Sequence, residues 1–185
     1  DVTDVAAFRA LVEGLDRLDV FVNNAGTNRP RPLVEVTEDD FDAIAGLNLR
    51  AAFFALQSVA RRMRDLGRGG SIINMSSQMG HIGAAKRSIY CASKWAIEGF
   101  SKSLAIELGP HGIRVNTICP TFIETPLTQP YFTDVAFHQE VMGKIKLGRV
   151  GQVQDIVGAA VFLASDASAL TTGSALMVDG GWTAE

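Results

Sequence analysis

The chain has 185 residues, 47% of them apolar and 20% charged, with a formal net charge of −3. That is about one domain's length, enough to bury a sizeable core, in an ordinary globular balance. Nothing basic is concentrated enough for a nucleic-acid face, and no uninterrupted apolar run reaches the roughly 18 residues that a membrane span needs. The densest basic cluster, Arg61, Arg62, Arg64 and Arg68 with Asp65 among them, falls late in a predicted helix, where cations complement the helix dipole. No signal peptide opens the chain. Cys91 and Cys119 fit no metal spacing, and His81, His111 and His138 are scattered, so the expectation is no metal and a reduced, cytoplasmic protein.

Residues 4–17 carry apolar side chains at Val5, Phe8, Leu11, Val12 and Leu15, the spacing of a helix, with Thr3 or Asp4 as its cap. The run at 18–22 (LDVFV) is apolar at nearly every position, which suits a parallel strand buried on both faces, and it runs into Asn23-Asn24-Ala25-Gly26. Thr37, followed by Asp40 three positions on, opens a long helix, or two in succession, over 37–66. A strand over 71–75 leads into Ser76-Ser77, and a helix over 88–109 stops at Gly109-Pro110. A strand at 113–120 is followed by an irregular stretch, 121–148, interrupted by Pro126 and Pro130. A helix over 152–165 and a strand over 174–181 complete the pattern, which has no internal repeat. Strands alternating with long helices predict a doubly wound α/β sheet of parallel strands, with helices on both sides. In such sheets ligands bind beyond the carboxyl ends of the strands. The polar clusters at 23–26, 76–77 and 120–121 fall there.

Tyr90 and Lys94 lie four apart near the start of the third long helix, so they share a face. An ammonium beside a phenol favours the phenolate. Bringing a tyrosine from about 10 towards neutrality takes roughly 4 kcal/mol of differential stabilisation, which Lys94 and a bound cation could share. Ser77 ends the preceding strand, where its hydroxyl can bond a carbonyl oxygen and stabilise developing alkoxide charge. Cys91, next to the tyrosine, reads as a small packed residue.

Together NNAG (23–26), NMSS ending at Ser77, YCASK (90–94), CPTFIET (119–125) and TGSALMVDGGW (172–182) resemble the short-chain dehydrogenase/reductase family across the whole chain. The wording is most like its gluconate 5-dehydrogenase-like and 3-oxoacyl-carrier-protein reductase-like members. The resemblance implies a Rossmann-like three-layer α/β/α fold and hydride transfer between a secondary alcohol or ketone and NAD or NADP. It implies a tetrad: Tyr90 as acid/base, Lys94 lowering its pKa and binding the nicotinamide ribose, Ser77 orienting the substrate, and Asn48 holding a water that links Lys94 to solvent. It implies cofactor contacts at Asp1 and Val2 (adenine), at Asn24, Ala25 and Gly26, and at Pro120, Thr121, Ile123 and Thr125. Threonine at 121 departs from the family's usual Pro-Gly.

The family opens with a strand and a Gly-rich turn that cradles pyrophosphate at a helix N-terminus. No such turn precedes NNAG. By resemblance about 60 residues, holding strands 1–3 and two helices, are absent, and residues 1–185 form a single partial domain. The strand at 18–22 would then have a bare edge, an aggregation hazard, so the native protein is expected to carry that segment. Coenzyme choice is unreadable without it. The 121–148 segment, with Phe122, Tyr131, Phe132, Phe137 and Met142, is expected to cover the substrate. With Gln78, His81, Lys86 and Arg87 opposite, its mixed rim suits a sugar, sugar acid or polyol. A 3-oxoacyl thioester reductase and a non-catalytic scaffold on the same fold are the alternatives. Lys94 argues against cofactor-free dehalogenases of this fold, which use arginine there. The resemblance also implies a homotetramer or dimer built on the helices over 37–66 and 88–109 and the last strand.

Overall fold

The computed structural model describes residues 1–184. Helix α1 (Val5–Glu13) is capped by the Asp4 carboxylate, which accepts from Ala7 N at 3.0 Å. Strand β1 (Val20–Asn23) follows. Helix α2 (Glu38–Ala45) begins with the expected capping box: the Thr37 hydroxyl accepts from Asp40 N, and the Asp40 carboxylate accepts from Thr37 N. Arg31, at 2.9 Å, and Arg29, at 3.4 Å, also pair with buried Asp40 and hold its carboxyl below the usual range, with the Thr37 bonds the larger cause.

The long helix is continuous from Glu38 to Leu66, but it widens into a π-helical turn over Gly46–Ala51 before resuming as α3 (Ala52–Leu66). Such turns mark places where a side chain is re-aimed. This one carries Asn48. By length and composition this helix is long and apolar enough to cross a bilayer. Half of its most apolar window is buried within the protein, the environment of a core helix.

Strands β2 (Gly70–Met75), β3 (Ile113–Pro120) and β4 (Ala175–Val178) join β1 in one parallel sheet of order β1-β2-β3-β4, with Asn23 opposite Asn74 and Ile72 opposite Val115. Helix α4 (Ser88–Leu108) links β2 to β3, and α6 (Val153–Ala164) lies between β3 and β4. On one face, Ile72, Ile113 and Val115 pack with Val12, Leu56, Val59 and Met63, under α1, α3 and α4. On the other, Ile73 and Ile118 meet Leu163 of α6. The expected three layers and parallel sheet are therefore present.

Two expectations change. β1 is not buried on both faces: Val20 and Val22 are 38% and 42% exposed, while Phe21 packs inward on Phe8. Residues 121–148 are not simply irregular. They hold a short turn of 3-10 helix (Gln129–Thr133) and helix α5 (Val135–Lys144), which starts just past the last proline on an Asp134 cap.

Entry into β2 depends on two glycines in the left-handed region. Gly67 ends α3 in open space, whereas a Cβ on Gly69 would lie 2.7 Å from the Gly112 carbonyl oxygen. Gly67→Ala should therefore cost about 1 kcal/mol, the conformational penalty alone. Gly69→Ala should cost more than about 2 kcal/mol, because backbone must also move. Urea unfolding of the two variants checks this; equal costs would contradict it.

Candidate active site

The loops leaving β1, β2 and β3 meet at the carboxyl rim of the sheet. Below the rim a polar chain ties the elements: Asn23 donates to Asn74 at 3.1 Å, Asn74 to Ser101 at 2.8 Å, and Ser101 to the Ile97 carbonyl. Asn23 thus supports the sheet. Above it opens a cavity of about 390 Å³ whose walls include Asn24, Gly26, Ser77, Tyr90, Lys94 and Thr121.

Tyr90 and Lys94 occupy successive turns of α4, with Lys94 Nζ 5.5 Å from the centre of the Tyr90 ring. Lys94 is buried and donates to the Met75 carbonyl at 2.9 Å. Its ammonium has left water without gaining a direct carboxylate bond, so burial lowers it to about 8, against smaller raising effects of Cys119 and Glu98. For Tyr90, burial raises the phenol, while the Ser77 hydroxyl beside it and the Arg87 charge pull it down. Desolvation is the largest of these effects, and Lys94 is not among the groups that lower the phenol.

The Asn48 side chain is fully engaged with its neighbours. Its Oδ1 accepts from Thr27 N at 2.9 Å, and its Nδ2 donates to the Thr27 carbonyl at 2.9 Å and to Ser93 Oγ at 3.2 Å. Ser93 in turn donates to the Tyr90 carbonyl at 2.7 Å. The side chain staples the loop after β1 to the Tyr90–Ser93 turn of α4. Gly26 lies against this staple: a Cβ there would meet Asn48 Oδ1 at 3.4 Å and Lys94 Nζ at 3.8 Å.

Pro120, Thr121, Ile123 and Thr125 all line the cavity, and Thr121 N donates to the Val178 carbonyl at 3.2 Å. Ala25 is between two lining residues without being one itself. Asp1 and Val2 are not in the cavity wall; Asp1 is exposed, and its carboxylate accepts from Thr3 N and Oγ1. Cys91 packs beside Met79 and Phe122, as expected.

The fold gathers two sets of residues that sequence spacing does not reveal. Gln78 and Arg87, noted only as rim residues, are buried in the cavity wall. Beneath Lys94, the supposedly scattered His81 meets Glu98 and Cys119, three potential metal-ligating atoms within 4.8 Å of one another. The Cys119 thiol donates to Glu98 at 3.3 Å, and Thr117 donates to the other carboxylate oxygen at 3.1 Å. Burial pushes that thiol up to about 12, so at neutral pH it is a protonated donor within a hydrogen-bonded cluster.

Residues 1–183 match the profile of a family described as enoyl-(acyl carrier protein) reductase. This chain belongs to the short-chain dehydrogenase/reductase family. L-xylulose reductase of Bos taurus is 39% identical over the whole of this chain and 75% of its own length. 2-Dehydro-3-deoxy-D-gluconate 5-dehydrogenase of Dickeya dadantii is also 39% identical, over 74% of its length. A gluconate 5-dehydrogenase of Burkholderia cenocepacia, crystallised with NADP and tartrate, superposes with a TM-score of 0.96 at 35% identity, with all of this chain and 74% of that one covered. The chain thus spans about three quarters of these relatives. It is a dehydrogenase/reductase of CH–OH groups that uses NAD or NADP.

The walls of the cavity fit a nicotinamide coenzyme. Gly26 brings backbone close to Lys94 without an intervening side chain, and the buried Asn28 Oδ1 and Thr121 Oγ1 have no hydrogen-bond partner. Open buried polar atoms are costly unless something bonds them.

The depressed Lys94 has a thermodynamic signature. Between pH 8 and about 10.5 the unfolded lysine holds a proton that the folded one has released, so folding gains stability as pH rises through that window. Over the window the wild type should gain about 3 kcal/mol relative to Lys94→Met. Urea unfolding at the two ends of the window measures it. A constant difference between the proteins would show that Lys94 titrates normally.

Proposed function

We propose that this enzyme interconverts a secondary alcohol and a ketone on a sugar, sugar acid or polyol, with Tyr90 as the proton-transfer group. The observation that carries the reading is the buried Tyr90 phenol beside Ser77, one helical turn from Lys94, at the wall of a cavity that opens on the sheet's carboxyl rim. A hydroxylated substrate is supported by Gln78, whose fully buried amide has neither its donor nor its acceptor bonded. A polyol hydroxyl serves both.

In oxidation, Tyr90 Oη takes the hydroxyl proton as the carbon–hydrogen bond breaks; in reduction, it returns a proton to the carbonyl oxygen. The coenzyme, when bound, accepts or donates the hydride. Ser77 Oγ donates to the same substrate oxygen and stabilises its developing charge. Arg87 and the Ser77 hydroxyl favour the phenolate that burial opposes, while Lys94, mostly cationic at neutral pH, would hold the coenzyme's ribose. Asn48 and Ser93 fix the loop and the helix turn on which these groups stand.

Tyr90→Phe should lower turnover at least about 1,000-fold, and Ser77→Ala by about 100-fold, with the fold intact. Nicotinamide absorbance during incubation of the full-length protein with polyols, sugar acids and acetoacetyl thioesters reads this out, with each coenzyme in turn. Activity confined to the thioesters, or retained in Tyr90→Phe, would overturn the reading.

We also propose a reduced, cytoplasmic setting, consistent with two free thiols, and self-association through the helical face of α2–α4. Phe41 and Phe53 there are 51% and 44% exposed, and Trp95 of α4 is 54% exposed. Sedimentation should show a dimer or tetramer that Phe53→Asp dissociates. A monodisperse wild-type monomer would contradict it.

A further inference from the structure

We propose that Arg87 is a carboxylate subsite, so that the preferred substrate is a sugar acid rather than a neutral sugar or polyol. The inference rests on the oxidoreductase reading above and narrows its substrate. Arg87 is only 8% exposed and lies in the cavity wall. Its guanidinium stands 5.4 Å from the ring centres of both Phe122 and Tyr131 and 6.0 Å from that of Phe137. Among the described residues no oxygen accepts from it. The contrast with other arginines is direct: Arg149 makes two bonds to Asp155, Arg114 bonds Ser168, and Arg62 bonds the Leu15 carbonyl. Cation–π contacts offset part of the cost of burying a guanidinium, but they use its face and leave its five in-plane donors open.

Three further features point the same way. Lys86 (φ 61°) is the single non-glycine residue with positive φ among the described ones. Strain of that kind costs about 1–3 kcal/mol and persists where surrounding bonds hold it. Here the Lys86 carbonyl accepts from Arg31 N at 2.9 Å, and the twist delivers Arg87 to the first position before α4. Helix α4 has 21 residues, no acidic side chain in its first turn and no side-chain cap, so its positive end is uncompensated. The cavity wall contains two cations, Arg87 and Lys94, and no carboxylate.

A bound anion would complete this arrangement. A planar guanidinium pairs best with a planar carboxylate through two parallel bonds. The subsite is on the substrate side: two of the three rings under Arg87, Tyr131 and Phe137, lie in the 3-10 turn and α5, past the 120–125 stretch, whereas Asn24 and Gly26 come from the loop after β1. The ligand is therefore a hydroxy acid whose carboxylate meets Arg87 while a hydroxyl further along its chain reaches Ser77 and Tyr90.

The test uses the full-length protein with saturating coenzyme and a panel of pentonates and hexonates, each beside the alditol of matching configuration. The wild type should favour an acid over its alditol in kcat/KM. Arg87→Gln should shrink that preference roughly 30-fold, with part of it restored in Arg87→Lys and the coenzyme KM unmoved. The ratio is the readout because loss of Arg87 also weakens the Tyr90 phenolate on every substrate. In parallel, an aldonate should perturb the fluorescence of Trp182, whose ring centre is 5.8 Å from that of Phe122, in the wild type and not in Arg87→Gln. A wild-type preference for alditols, equal losses on acid and alditol, or a rise in coenzyme KM alone would each overturn the subsite while leaving the oxidoreductase reading in place. Failure of the wild type to oxidise any alcohol with either coenzyme would remove both.

Discussion

The organisation of this molecule follows from one buried ammonium. Lys94 sits at the carboxyl rim of the sheet with a backbone carbonyl as its acceptor, and burial lowers it to about 8. A cation held that way is a standing cost, tolerable only where its neighbours are fixed. The fixing is visible: Met75 presents its carbonyl from the end of β2, Gly26 leaves the space that a side chain would fill, and Asn48 and Ser93 lock the adjoining loop and helix turn to each other. The polar chain from Asn23 through Asn74 to Ser101 does the same work one layer below. A parallel sheet brings three loops to one rim, and these bonds turn that meeting into a defined site.

Electrostatics then divide the cavity. Tyr90 is pulled between burial, which keeps it protonated, and the Ser77 hydroxyl with the Arg87 charge, which favour its ionised form. Burial is the largest of these effects. A bound nicotinamide in its oxidised form would add positive charge beside the phenol and shift the balance towards the phenolate.

Much of this was legible in the sequence because it depends on local signals. Strand β3 falls where its apolar run and its proline place it, and the Thr37–Asp40 capping box forms as the spacing predicts. Tyr90, Ser77, Gly26 and the residues after Pro120 converge because strand ends in an alternating fold share a rim. What escaped depends on long-range packing. The π-helical turn at Gly46–Ala51 leaves no pattern of its own in an apolar helix. His81, Glu98 and Cys119 come from a loop, a helix and a strand, so no spacing links them. β1 reads as a two-face strand because its residues are apolar, yet only the Phe21 side is covered in the chain as described. Helix α5 was hidden by the prolines just before it.

The segment built on α5 is attached differently from the rest. Phe122, Phe132, Phe137 and Trp182 hold it by ring contacts, and the Leu147 amide bonds the Gly180 carbonyl at 3.0 Å near its exit. No strand of the sheet runs through α5. Val141, Ile145 and Met79 complete that cluster, which is separate from the two that flank the sheet, so detaching it would leave the layers on either side of the sheet in place. The amides of α5 are therefore expected to exchange with solvent water before those of β3, and a substrate carboxylate held by Arg87 would narrow that gap by tying these rings to the rim.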